Sequence, residues 1–248
     1  MDEIVSKLIG LAAVIGVTHT ALGPDHYVPF IAMSQAGRWS FRRTLLVVWA
    51  CGLAHVLSSF VIGTAGIAFG WALGSMEAFE AARGGLAGWL LLGFGTAYLV
   101  WGIRKALRNK PHAHLHVHGD GTVHSHVHTH HGEHVHMHVP AAALDGPHGG
   151  DAALQPKMTG WILFTIFVFG PCEPLIPLLM VPAAEHAWWA IASVAAVFAV
   201  ATISTMTALV AAGRLGLSRW QLPGLERYTY ALAGLALVLC GVAIRLGL

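Results

Sequence analysis

Six stretches of the chain, 4–22, 45–69, 86–103, 161–181, 188–212 and 228–246, are apolar on every face instead of carrying a single apolar stripe. Crossing about 30 Å of hydrocarbon at about 1.5 Å per residue takes about 20 such residues, so each stretch predicts a transmembrane helix. A shorter apolar piece, 28–36, follows the first and predicts a re-entrant segment or a continuation of it. Between the third and fourth stretches the pattern stops. The segment 112–148 holds 13 of the 17 histidines and no aromatic residue, so it has nothing from which to build a core and predicts a mobile loop. The expected organisation is a three-helix repeat over 1–110, a histidine-rich loop over 111–157 and a second three-helix repeat over 158–248.

Composition agrees with the pattern. Of 248 residues 56% are hydrophobic and 10% charged, against about 25% charged in ordinary soluble domains. The net charge of +2, without clustered Lys and Arg interleaved with aromatics, excludes nucleic acid as an expected partner. Cys51, Cys172 and Cys240 lie in separate apolar stretches and cannot form a disulfide framework or a zinc ribbon. The start, Met1-Asp2-Glu3, is acidic where a signal peptide is basic, so the first stretch is expected to stay in the mature protein. The loops after stretches one, three and five carry 11 of the 14 Lys and Arg residues. By the positive-inside rule these loops are cytoplasmic, which predicts a multi-pass protein of the inner (plasma) membrane with both termini outside and the histidine-rich loop inside.

Two of the apolar stretches are interrupted. The first ends in His19-Thr-Ala-Leu-Gly-Pro24-Asp25-His26 and the fourth contains Gly170-Pro171-Cys172-Glu173-Pro174. Proline removes an amide donor and clashes with the preceding turn, so both helices are expected to break and to expose backbone groups that must line a cavity or be buried in protein. Pro24 and Pro171 are 147 residues apart, and the same offset carries His55 onto Thr202 in the polar stretch Thr202-Ile-Ser204-Thr205-Met-Thr207. Interrupted helices at matching places in two halves point to a transporter site at the repeat interface. With three spans in each half, the repeats must be inverted. The fold expected is therefore an all-α integral membrane protein of six transmembrane helices, a 3+3 inverted repeat with broken first and fourth helices.

Carboxylates within apolar runs are costly enough to need a partner or a use, which singles out Asp25 and Glu173. The break at Pro24 can fold Asp25 and His26 back towards His19, His55 lies on the next span, and Cys172 with Glu173 can arrive from the other half. Imidazole, carboxylate and thiolate together suit nickel, cobalt or zinc better than magnesium or calcium. The plainer alternative makes His55 a donor to a backbone carbonyl in helix packing and Cys172 a small core residue.

The run from His19 through Asp25-His26-Tyr27-Val-Pro29-Phe30 resembles the signature of the nickel/cobalt transporter superfamily, in particular its urease-accessory-like nickel permease branch. The resemblance extends to His55, to the Gly170–Pro174 motif and to the histidine-rich central loop. It implies a nickel or cobalt permease whose first-span histidines and aspartate bind the ion. The spacing from His19 to Asp25 is one residue longer than in the family's signature.

The function expected is transport of a divalent transition-metal ion, nickel or cobalt first and zinc as a further candidate, through His19, Asp25, His26, His55, Cys172 and Glu173, without enzymatic activity. A cytoplasmic metallochaperone is a candidate partner, and the alternating histidines of the loop suit capture of late transition metals. The competing expectation is a membrane thiol-disulfide carrier similar to cytochrome-c-biogenesis proteins. That chemistry needs two cysteines able to meet, and Asp25 stands where the second thiol belongs. No Gly-x-x-x-x-Gly-Lys-Ser/Thr loop is present, so ion gradients or a separate partner must drive transport.

Overall fold

The computed structural model describes residues 2–108, 112–117, 123–128, 156–170, 172–218 and 226–247. The chain is an all-α multi-pass membrane protein. Its helices are α1 (Asp2–Leu22), α2 (Val28–Ala36), α3 (Phe41–Ala68), α4 (Leu73–Arg108), α5 (Pro156–Phe169), α6 (Leu175–Ala184), α7 (Trp188–Ser218) and α8 (Thr229–Leu246), with 3-10 turns at Pro24–His26 and Glu226–Tyr228. Five of them, α1, α3, α4, α7 and α8, are long and apolar enough to cross a membrane. Large apolar side chains such as Leu46, Trp49, Trp161, Val200 and Leu239 stand exposed on the outside. In water such a surface is an aggregation hazard; in lipid it is the ordinary one.

The fourth apolar stretch breaks as expected, into two short helices, α5 and α6, and the sequence pattern and the helices differ at two other places. Gly170 leaves the helix and Pro174 stands at the N-cap of α6, where its missing N–H cannot continue the ladder. Pro171, the expected point of the break, lies outside the described residues. The third span is longer than its apolar run: α4 covers 36 residues, because Met76 to Arg83 are good helix formers with no breaker among them. The histidine-rich segment, expected as a mobile loop, contains an antiparallel pair of strands, β1 (His112–Val117) and β2 (Val123–His128), with His114 opposite His126. The remainder of that segment lies outside the described residues.

α1 lies against α7 and α5 against α3; α2 lies against α8, whereas α6 packs on α7 and α3 more than on α4; α3 with α7 and α4 with α8 close the arrangement. The α4–α8 contact is the most extensive, and glycines make it close. A methyl group on Gly95 would sit 2.8 Å from the backbone nitrogen of Val238, and one on Gly241 2.8 Å from Leu92 Cγ. Small residues let membrane helices approach to backbone contact. The turn from α3 into α4 passes through Gly70 at φ +68°, a left-handed conformation that glycine adopts without a Cβ penalty. One apolar core gathers Phe30, Met33, Val48, Leu91, Phe167, Met206 and Leu237; a second gathers Ala12, Val56, Leu175, Leu179, Val194 and Phe198. The candidate site lies between the elements that supply these two cores.

Candidate metal centre

The first break is closed by its own backbone. Gly23 N–H donates to the His19 carbonyl at 3.0 Å, His26 N–H to Gly23 at 3.1 Å and Tyr27 N–H to Pro24 at 3.3 Å. Pro24 opens the 3-10 turn, where its lack of a donor costs nothing, and Pro29 opens α2 in the same way. This tight turn swings His26 back under the last turn of α1. His19 and His26 then meet with ring centroids 4.7 Å apart, and His26 meets His55 of α3 at 5.2 Å, each pair edge to face.

The three imidazoles present ligand nitrogens that all lie within 4.8 Å of one another. Nitrogens bound to one tetrahedral ion at about 2.0–2.1 Å lie about 3.3–3.4 Å apart, so the widest pair of the trio must close by up to about 1.5 Å to surround an ion. The Nε2 atoms of His19, His26 and His55 are buried and have no hydrogen-bond partner among the described residues. Buried polar atoms nearly always find a partner, so these nitrogens are available to a ligand.

Asp25 does not join the trio. Its Oδ1 lies 3.2 Å from His26 Nδ1. A carboxylate only accepts, so Nδ1 is the donor in this contact. This carboxylate–imidazole pairing is the arrangement that orients metal-binding histidines. Gly23 makes room for it: a Cβ there would stand 2.7 Å from His26 Nδ1 and 2.9 Å from Asp25 Oδ1.

The second break contributes differently. Gly170 lies against His55, such that a Cβ on it would come within 3.1 Å of His55 Nδ1, and the Phe167 ring stands 6.1 Å from the imidazole. Cys172 is fully buried and a free thiol, like Cys51 and Cys240, and it is not among the converging ligand atoms. Glu173 is exposed and faces an open groove lined by Glu77, Ala78, Ala81, Pro174 and Pro177. Thr202, the counterpart of His55 by the 147-residue offset, is fully buried with an unpartnered hydroxyl, and a Cβ on Gly16 of α1 would be 3.3 Å from it.

The pattern of the chain gave no notice of Glu80 and Arg83. Both are buried and form an ion pair on α4. Arg83 Nη2 donates to Ser58 Oγ at 2.8 Å and to the carbonyls of Val168 at 2.7 Å and Gly170 at 3.5 Å, and its Nη1 donates to Ser59 Oγ at 3.3 Å. Glu80 Oε2 accepts from Ser59 Oγ at 3.0 Å and from the backbone N–H of Cys172 at 3.2 Å. The ends of the broken α5–α6 segment are thus satisfied by charged side chains of α4. The available signal was the i,i+3 pairing in Glu80-Ala-Ala-Arg83, which sits before the apolar part of its span and reads as exposed.

No protein-family model, curated protein or solved structure matches this chain.

Proposed function

We propose that the chain carries a divalent transition-metal ion, nickel or cobalt first and zinc next, across a membrane by way of the His19–His26–His55 trio. The observation that carries this reading is the clustering of three histidines, each with a buried, unpartnered ring nitrogen among the described residues and with ligand nitrogens within 4.8 Å of one another, at the point where a broken helix and an intact one meet. Imidazole nitrogen suits late first-row divalent ions. His26 is oriented by Asp25, whose charge also offsets that of an entering cation. Cys172 and Glu173 then serve the second break: Cys172 fills the core, and Glu173 faces the groove through which hydrated cations reach the protein.

The two helix breaks and the α1–α7 and α3–α5 contacts support a 3+3 inverted repeat, with α1–α2 corresponding to α5–α6, α3 to α7 and α4 to α8. On that reading α5 and α6 together make the sixth crossing, and the basic loops favour termini outside and the histidine-rich segment in the cytoplasm of a plasma-membrane protein. The buried, separate and free cysteines favour ion transport over a thiol-disulfide carrier.

The test is flux of Ni2+, Co2+ and Zn2+ into proteoliposomes holding the full chain, beside His26→Ala and His55→Ala. Loss of flux in both variants, with unchanged helical content, is the expected result. Wild-type flux in either removes the trio from the permeation path.

A further inference from the structure

Glu80 and Arg83 have no place in the transport reading so far, yet both are charged and buried. Taking two charges out of water is unfavourable by several kcal/mol per ion even after relaxation, and an apolar pair of equal volume is often as stable. What an apolar pair cannot do is fix several polar groups of different helices at once. Arg83 reaches Ser58 and Ser59 of α3 and the carbonyls of Val168 and Gly170 at the end of α5. Glu80 reaches Ser59 and the amide of Cys172, on the far side of the break. Ser58 in turn donates to the His55 carbonyl at 2.8 Å. These contacts enclose His55: its backbone is tied to Ser58, and its ring lies against Phe167 and Gly170 of the segment that Arg83 holds.

We propose that Glu80 and Arg83 are positioning residues, clamping the α5–α6 break onto His55 and so setting the spacing of the imidazole trio. Neither touches the ion. They act through Ser58, Val168, Gly170 and Cys172, and the planar fork of Arg83 is needed because a lysine cannot address α3 and α5 together. The proposal rests on the metal reading of the trio, and its test separates the two.

The variants are Arg83→Lys, which keeps the charge without the fork, and Glu80→Gln, which keeps an acceptor for Cys172 without the ion pair. The first readout is the visible absorption of Co2+ bound to the purified full chain, taken as the difference from His26→Ala so that binding by the histidine-rich segment cancels. The second is modification of Cys172 by N-ethylmaleimide, resolved from Cys51 and Cys240 by mass spectrometry. Both variants are expected to shift the Co2+ difference spectrum and weaken binding about 10–100-fold, as loss of outer-shell support does. Cys172 should label faster while Cys51 and Cys240 stay protected. An unchanged spectrum and affinity overturn the positioning role, whether or not Cys172 opens. Faster labelling of all three cysteines overturns it too, because the pair then only stabilises the fold. No His26-dependent spectrum in the unsubstituted chain overturns the metal reading, and the labelling then decides by itself whether the pair clamps the break.

Discussion

The two helix breaks begin from the same sequence device, Gly-Pro before an acidic residue, and are completed in different ways. At the first, the 3-10 turn over Pro24–His26 satisfies its own backbone, and Asp25 is left to hold His26. At the second, Gly170, Leu175 and Ile176 also donate to nearby backbone carbonyls, but the Val168 and Gly170 carbonyls and the Cys172 amide are satisfied by Arg83 and Glu80 of another helix. The first break leaves its side chains to meet the imidazole of α3, whereas the second is held in addition by a buried ion pair, with a buried thiol beside it.

This contrast is open to direct attack. The largest effect is expected from His26→Ala at the self-closing break, which removes the central imidazole: metal flux should vanish while the circular dichroism of the detergent-solubilised protein is unchanged. Wild-type flux from that variant removes the contrast altogether.

At the clamped break the corresponding blow falls on stability. Glu80→Leu leaves Arg83 buried and unpaired and should cost about 3–5 kcal/mol, seen as a lowered thermal unfolding midpoint in detergent. Glu80→Leu with Arg83→Leu should recover only part of that loss, because the Val168 and Gly170 carbonyls and the Cys172 amide are then left without these partners. A single variant as stable as its parent shows that the second break does not depend on α4.

Glycine substitutions sharpen the comparison. Gly23→Ala forces a Cβ to within 2.7 Å of His26 Nδ1, whereas Gly170→Ala reaches His55 Nδ1 only to 3.1 Å. Overpacking costs about 1–3 kcal/mol, and at Gly23 it falls on the Asp25–His26 bond. Metal affinity measured by titration against the His26→Ala background should drop further for Gly23→Ala than for Gly170→Ala, and the reverse order contradicts the assignment of Asp25 as the orienting partner.

Protons compete with the ion for the imidazoles, since only neutral histidine binds metal. Affinity should therefore weaken as pH falls. If protons load the vacated trio, a pH step across a voltage-clamped vesicle should drive flux; indifference to that step favours uniport. The smallest effect is expected from deleting 111–150: capture at low metal concentration weakens, because many weak sites raise local concentration without setting geometry, while flux at saturating metal is retained.

Much of this molecule was legible in the chain itself. All-round apolar runs identify lipid-immersed helices because a bilayer, unlike water, leaves no polar face to show. Gly23-Pro24 favours a break, because a ring nitrogen has no hydrogen to donate and glycine is a poor helix former. His19, Asp25 and His26 were recognisable as a group because they lie within one local turn. Tertiary structure decided the rest. That His55 joins this group while Cys172 and Glu173 stay out of it depends on how α3 and the α5–α6 segment pack, and no spacing along the chain encodes that contact. The burial of Glu80 and Arg83 was likewise invisible in advance. Their i,i+3 spacing is equally that of an exposed helix pair, and only the carbonyls and amide freed at a break 85 to 92 residues away make the interior the place where both charges are satisfied.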